Sequence, residues 1–353
     1  MQLNLLNGDC LPLLKTLPAN SVDSIITDPP YGLTKLPDIN HVLSQWLQFD
    51  DYEHDQPGFM NKEWDSFVPA PCVWRQCLRV LKPGGHLMSF FGARTYDLGS
   101  MAIRLAGFEI RDQIMWIYGS GFPKNHDISK AIRKIDPDYP ISGLGTALKP
   151  AHEPICVARK PFKDSLTDNV LIHGVGSFHI DNCRTDDEHK RWPANVVHDG
   201  SDAVLSHWPQ SSVTGRRSRE SQRARVDGTS WLMNTHQSRE YHDSGNVARY
   251  FYCAKPDRKD RDEGLMSSTM MGIRNIHPTV KPTKLMNWLC KLVTPKGGVI
   301  LDPFMGSGST GKAAMINRYG FIGMEREKEY FNIACKRIFF QRDIVGKNDD
   351  HSS

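Results

Sequence analysis

Two short stretches of the chain combine residue types that could do chemistry. Asp28-Pro29-Pro30-Tyr31 joins a carboxylate, two rigid prolines and an aromatic ring. The run before it, Val22-Asp23-Ser24-Ile25-Ile26, reads as a strand. A proline pair cannot continue a buried ladder, so the strand ends there and Asp28 sits at its carboxyl end. In an open α/β sheet that edge is where ligands bind. A carboxylate and a rigid backbone carbonyl accept the two hydrogens of an exocyclic amino group, and the tyrosine ring offers a stacking face. The four residues suit a planar base that bears an amine; an ordinary Asp-Pro turn would not need the combination.

The second stretch, Val299-Ile300-Leu301-Asp302-Pro303-Phe304-Met305-Gly306-Ser307-Gly308-Ser309-Thr310, reads as strand, glycine turn and helix. Gly306 and Gly308 permit a tight turn and close backbone approach to a ligand. Free N–H groups at the following helix start point toward it, and Ser309 or Thr310 can cap that helix. Ala313 and Ala314 let the helix lie close to a sheet. The next strand ends at Gly323-Met324-Glu325, where an acid can accept hydrogen bonds from both ribose hydroxyls. Turn and acid together point to a nucleoside ligand. The spacing GxxxxGK[ST] of a phosphate loop is absent.

These residues must be positioned by alternating elements. Strands are expected at 3–6, 22–26, 86–91, 108–117, 155–158, 299–301 and 321–324. Helices are expected at 11–17, 74–81, 102–106, 285–292, 309–317 and 327–340, with a turn at Pro83-Gly84-Gly85. That alternation means an α/β open sheet. Between about 160 and 275 the chain turns rich in Ser, Asn, Asp, His and Arg and loses periodicity, as a loop-rich module would. The expected division is 1–160 and 276–342 as two halves of one catalytic domain, 161–275 as an inserted recognition region, and 343–353 as a disordered tail.

Composition sets the bounds. With 353 residues, 39% of them hydrophobic, the chain can bury a core without staples. A mean hydropathy of −0.47 and the lack of any apolar run near ~18 residues exclude a membrane span. The start Met1-Gln2-Leu3-Asn4 lacks the features of a signal peptide. The eight cysteines form no CxxC pair, so they read as reduced thiols in a cytoplasm, with no metal site. The net charge of +4 is concentrated: Arg216, Arg217, Arg219, Arg223 and Arg225 lie in one stretch with a single acid, Glu220. Such a cluster fits a polyanion, and equally a solvated loop. Trp192, Trp208 and Trp231 lie in the same region; packing is the expected role for at least two of them.

Taken together, the sequence resembles the amino-methyltransferases that act on DNA. The resemblance rests on Asp28-Pro29-Pro30-Tyr31 followed, roughly 270 residues later, by the S-adenosylmethionine signature Asp302–Thr310. This order resembles the β class, with its permuted Rossmann-like fold: a mostly parallel sheet with one antiparallel strand. It covers nearly the whole chain outside the middle region and tail, and is nearest to bacterial and prophage-type adenine methylases, including those of restriction–modification systems. Asn7-Gly8-Asp9-Cys10 is similar to the family's loop that meets the cofactor adenine through Asp9. His277-Pro278-Thr279-Val280-Lys281-Pro282 is similar to the segment beside the methionine end of the cofactor. Gly119–Lys124 and Lys149–Pro154 look like loops that line related sites, without an assigned role.

The resemblance implies a site-specific, S-adenosylmethionine-dependent transfer to the N6 amine of adenine in double-stranded DNA. The base would be flipped out and the methyl moved directly in line. Asp28, Pro29, Pro30 and Tyr31 would be the catalytic set. Asp9, Asp28, His277, Thr279, Lys281, Asp302, Phe304, Gly306, Gly308, Ser309, Thr310 and Glu325 would hold the cofactor. Arg216, Arg217, Arg219, Arg223 and Arg225 would contact DNA, phosphates before bases. The alternatives are a cytosine-N4 methyltransferase and, in a different class, a non-catalytic DNA-binding protein. A nicotinamide dehydrogenase would leave residues 28–31 unexplained. The recognition sequence, pairing into a homodimer and a restriction partner stay open.

Overall fold

The computed structural model describes residues 2–33, 37–48, 52, 63–121, 125–186, 190–214, 242–257, 259–265 and 274–350. The strands are β1 (Leu3–Asn7), β2 (Val22–Thr27), β3 (Leu81–Phe90), β4 (Glu109–Ile117), β5 (His152–Arg159), β6 (Val196–His198), β7 (Gln210–Thr214), β8 (His242–Asn246), β9 (Tyr252–Cys253), β10 (Val299–Asp302) and β11 (Gly320–Glu325). The helices are α1 (Cys10–Thr16), α2 (Ile39–Leu47), α3 (Pro71–Val80), α4 (Tyr96–Leu105), α5 (Ile128–Ile135), α6 (Leu166–His173), α7 (Asp202–Leu205), α8 (Thr283–Val293), α9 (Ser309–Ile316) and α10 (Lys328–Asp350).

Nine strands form one sheet in the order β1-β11-β10-β2-β3-β5-β4-β6-β9. Only β5 runs antiparallel to its neighbours β3 and β4; every other pairing in this sheet is parallel. The expected mostly parallel α/β sheet with one antiparallel strand is thus the observed one. Successive residues of the central strands point to opposite faces. Ile26, Met88 and Ile300 meet α8, α9 and α10 through Trp288, Ala313, Ala314 and Ile338. Ile25, Leu87 and Leu301 meet α1, α3 and α4 through Leu14, Trp74 and Ile103. Helices therefore cover both faces, as a parallel sheet requires.

β2 is buried along its whole length, yet carries Asp23, Ser24 and Thr27. Asp23 and Thr27 find partners on neighbouring strands, and Ser24 finds one at the C-terminal end of α8. Asp23 accepts from the Val299 N–H (2.7 Å) and from the Lys82 ammonium (2.6 Å). The hydroxyls of Ser24 and Thr294 share a hydrogen bond of 2.8 Å, and Thr27 donates to Asp302 Oδ1 at 2.6 Å. A slip of register would strand these groups, so they fix β2 against β10.

Several expectations shift. β3 starts earlier than expected, at Leu81, and the Pro83-Gly84-Gly85 turn is a bulge within it: Val22 pairs with Leu81, but Ser24 pairs with His86. The extra residues of β3 loop out, and the Asn169 amide donates to the Pro83 carbonyl (3.0 Å). The sheet does not stop near 160, because the short strands β6 and β9 extend it beyond β4. Three-residue and two-residue strands give too little alternation to read from sequence. α10 continues through Asp350, past the point at 343 where a tail is expected. No helix among the described residues is long and apolar enough to cross a membrane.

The glycine turn is held against α10. Gly308 has φ +84, and a Cβ there would lie 3.0 Å from Ile338 Cδ1 and 3.1 Å from Ala334. Gly308→Ala should destabilise the fold by about 1–3 kcal/mol, combining left-handed backbone with a tight contact. Urea unfolding measures this; an unchanged midpoint would refute the packing argument.

Candidate active site

The Asp28-Pro29-Pro30-Tyr31 turn leaves β2 at the carboxyl edge of the sheet, as its sequence requires. It is pinned from outside. Asp65 Oδ1 accepts the Tyr31 N–H (2.7 Å) and the Gly32 N–H (3.3 Å), and the Thr95 hydroxyl donates to the Tyr31 carbonyl (2.6 Å). Gly32 has φ +61, and a Cβ there would lie 2.9 Å from Phe67 Cα. The turn has no freedom to wander, so its side chains are aimed by backbone.

Those side chains form a charged cluster. Asp28 Oδ2 lies 2.5 Å from Lys281 Nζ, and Asp28 Oδ1 accepts from the Tyr31 hydroxyl at 2.7 Å. The same hydroxyl lies 3.0 Å from Glu153 Oε2, which is also 3.3 Å from Lys281 Nζ. Lys281 is only 6% exposed, and its ammonium sits over the rings of Phe90 (5.1 Å) and Tyr31 (5.4 Å). Burial works against its charge, but the Asp28 and Glu153 carboxylates outweigh that and hold Lys281 above the usual lysine range. Burial and the same two carboxylates push the Tyr31 phenol well up, so it stays a donor.

β10 places the glycine turn beside this cluster. Asp302 is 2% exposed, and burial raises its carboxyl to about 6 although Thr27, Thr310 and the Phe304 N–H donate to it. Glu325, at the end of β11, is raised by burial to about 7. Its two oxygens accept the Gly306 N–H (2.8 Å) and the Glu327 N–H (2.7 Å). Gly306 has φ +53, and a Cβ there would lie 2.9 Å from His277 Nε2. His277 accepts the Thr279 N–H at Nδ1 (3.3 Å), stacks on Trp64 and meets Tyr330 edge-on. Asp9 caps α1 by accepting the Leu11 N–H (2.8 Å).

One cavity of roughly 340 Å³ unites these groups. It is lined by Asp28, Pro29, Pro30 and Tyr31 from the first motif. From the second it takes Asp302, Phe304, Gly306, Ser309, Thr310 and Glu325, and it also takes Asp9, His277, Thr279 and Lys281. Gly308 is not in its wall; its place is the contact with α10 described above. Neither Ser309 nor Thr310 caps α9: Gly308 is the N-cap, without a side-chain bond, and Thr310 turns to Asp302. Arg216, Arg217, Arg219, Arg223, Arg225 and Trp231 lie outside the described residues. Trp208 packs against His198 and Phe251, whereas Trp192 is 66% exposed with the Arg184 guanidinium over its ring.

Sequence reasoning missed Trp64, Asp65, Tyr330 and the part played by Glu153, all of which line the cavity. The indole N–H of Trp64 is buried with no acceptor among the described residues. Also missed was the support beneath the glycine turn. Lys312, 1% exposed, binds Asp260 (2.6 Å) and Glu263 (2.7 Å), and Arg337, fully buried, donates to the carbonyls of Ser307 (2.5 Å) and Asp260 (3.1 Å). Asp260 in turn accepts from the Thr283 N–H (2.8 Å) and hydroxyl (2.7 Å). Cys10 lines the cavity, but burial pushes its thiol far up, so it is no nucleophile at neutral pH. Cys72, which follows Pro71, sits in the first turn of α3 and outside the lining.

A family model described as DNA methylase matches residues 22–336. Type II methyltransferase M.HindIII of Haemophilus influenzae is 24% identical over 96% of this chain and 95% of its own length. Type II methyltransferase M.HinfI, also of Haemophilus influenzae, is 24% identical over 95% of this chain and 67% of its own length. Among solved structures, the cytosine-N4-specific PvuII DNA methyltransferase matches with a TM-score of 0.49 at 15% identity, covering 98% of this chain and 92% of that one. The M1.HpyAVI–SAM complex matches with a TM-score of 0.43 at 18% identity, covering 95% and 98%.

The raised Glu325 carboxyl links stability to pH. Folded, it keeps its proton up to about pH 7; unfolded, it loses it near the ordinary glutamate value of 4.5. Its unfavourable contribution is therefore absent below about pH 4.5, grows as pH rises and is complete above about 7. Relative to Glu325→Gln, which never ionises, the native chain should lose about 1–3 kcal/mol between pH 4.5 and 8. Urea unfolding of both proteins across that range tests this, and a pH-independent gap would contradict it.

Proposed function

The chain belongs to the DNA methylase family, and we propose that it moves a methyl group from S-adenosylmethionine to the N6 amine of adenine in double-stranded DNA. The observation that carries this reading is the shared cavity: the carboxylate of Asp28 and the glycine turn at Gly306 line one space, although far apart in sequence. The cavity suits the cofactor. Its volume lies within the range of small-molecule sites. In this reading Glu325 meets the ribose, Asp9 the adenine, and His277 and Thr279 the methionine end, with Lys281 beside them in the same wall. Phe304, Ser309 and Thr310 complete the wall around Asp302.

S-adenosylmethionine supplies, when bound, a methyl group already activated on a sulfonium. The task left to this chain is alignment and charge. The amine of adenine is a poor nucleophile because its lone pair is delocalised into the ring. Asp28 and the Pro29 carbonyl hold its two hydrogens, favour a tetrahedral nitrogen and offset the positive charge that develops there. Pro30 keeps the backbone rigid, and Tyr31 stacks on the base. The base reaches the site by leaving the duplex, at a cost of a few kcal/mol, of which stacking returns about 1–3.

An acid at the first position of the motif leans toward adenine in the enzymes this chain resembles, which favours adenine over the cytosine amine. In the proposed division, 1–160 and 276–342 carry the chemistry and 161–275 the DNA contacts. Arg216, Arg217, Arg219, Arg223 and Arg225 supply phosphate contacts.

Asp28→Ala should lower methyl transfer by at least about 10³-fold while leaving S-adenosylmethionine affinity within a few-fold, in line with losses of transition-state electrostatics. Transfer is read with labelled cofactor and calorimetry reads binding; simultaneous loss of both would count against the assignment. Mass spectrometry of digested product DNA should show N6-methyladenine, and N4-methylcytosine would replace the adenine reading. No transfer at all by the native chain would favour a non-catalytic DNA-binding protein. Arg216→Glu with Arg217→Glu should weaken DNA binding and reduce the slope of log affinity against log salt by roughly 1 for each phosphate no longer neutralised. An unchanged slope would move the DNA surface elsewhere.

A further inference from the structure

The charge balance at Asp28 does not favour an electrostatic role by itself. An ammonium 2.5 Å from the Asp28 carboxylate neutralises it. A neutral pair offers little to an amine that is becoming positive. Lys281 cannot shed its proton to correct this, since it is held above the usual lysine range between two carboxylates. The second of these is Glu153, on β5, the antiparallel strand that reaches the site from the far side of β3.

We propose that Glu153 is a positioning residue whose charge balances Lys281, so that the cluster keeps one net negative charge for Asp28 to direct at the target amine. The inference rests on the methyl-transfer reading above. Two carboxylates, Asp28 and Glu153, share one ammonium, Lys281, and one hydroxyl proton, that of Tyr31. Glu153 also meets the Tyr118 hydroxyl, a neutral donor. Counting Asp28, Glu153 and Lys281, the sum is −1 with Glu153 present and zero with a neutral residue in its place; Asp302, which also feels Asp28, is common to both states. The two donors are also shared between the acids. Lys281 and the Tyr31 hydroxyl each lie within reach of both acids, at 2.5 and 3.3 Å for the first and 2.7 and 3.0 Å for the second. When Asp28 engages the amine, Glu153 is the acceptor to which both donors pass. Glu153 touches neither ligand in this scheme; it acts through Lys281 and Tyr31 on Asp28.

The test uses the full chain, S-adenosylmethionine and duplex DNA. Glu153→Gln keeps the shape and removes the charge. It should lower kcat at saturating cofactor at least 10-fold and leave cofactor Kd, measured by calorimetry, within about 3-fold. Glu153→Asp, which keeps the charge, should recover part of the loss. The decisive variant is Glu153→Gln with Lys281→Met, which restores a sum of −1 through Asp28 alone; since Lys281 lies in the cavity wall, kcat is taken at cofactor concentrations that saturate this variant. Its kcat should exceed that of Glu153→Gln by at least 5-fold, whereas Lys281→Met in the native background should not raise kcat. The inference is overturned if Glu153→Gln keeps kcat within 2-fold of native, if it loses cofactor binding in parallel with kcat, or if the double variant is no faster than Glu153→Gln. Failure of the native chain to methylate DNA would instead bring down the reading on which the inference rests.

Discussion

The structure depends on the parallel pairing of β2 with β10. Ser24 stands beside Ile300 and Ile25 beside Leu301, so the two motif-bearing turns leave the sheet next to each other. No short loop connects them. Their neighbourhood is enforced by burial: Ile25 and Leu301 go to one face, Ile26 and Ile300 to the other, and all four are fully buried. Because side chains alternate with period two, a slip by one residue would exchange the two sets and also misplace Asp28. The Thr27–Asp302 hydrogen bond closes this pairing just where the strands end.

The site built on that pairing is rich in acid. Asp9, Asp28, Asp65, Glu153, Asp302 and Glu325 line the cavity, with Lys281 and Arg326 as the counter-charges in its wall. Crowding and burial hold the Asp302 and Glu325 carboxyls at about 6 and 7. Such a cavity is electrostatically matched to a ligand that carries positive charge, because the ligand relieves repulsion that the protein alone must tolerate. The buried ions beneath the glycine turn behave differently. Lys312 is held by two carboxylates and the Arg337 guanidinium by the Ser307 and Asp260 carbonyls, so they hold the floor of the site in one geometry and contribute rigidity there.

The legible parts of the sequence were those where local pattern and tertiary role agree. Val22–Thr27 and Val299–Asp302 read as strands because their burial on both faces demands apolar runs ended by punctuation. The glycine turn was legible because Gly306 needs both a left-handed backbone and a close approach to His277. The contact of Gly308 with α10 was not legible, because sequence spacing does not reveal that partner. Glu153 stayed without a role because its meaning depends on Lys281 and Tyr31, brought together only by the sheet order. Trp64 and Asp65 carry no periodicity at all, and Asp65 acts through two backbone N–H groups that any sequence would offer. β6 and β9 were too short to alternate, so the true width of the sheet was hidden.

The β7–β8 pair bears on how freely this protein could vary. The strands are antiparallel, with Thr214 beside His242, so the chain departs and returns through neighbouring posts before and after residues 215–241. The ladder fixes the distance between the two ends of that stretch, whatever its length. Doubling that length would add only about 0.6 kcal/mol of closure entropy. A change of length between these two posts therefore carries little closure cost of its own, while the posts stay where the β7–β8 pairing holds them.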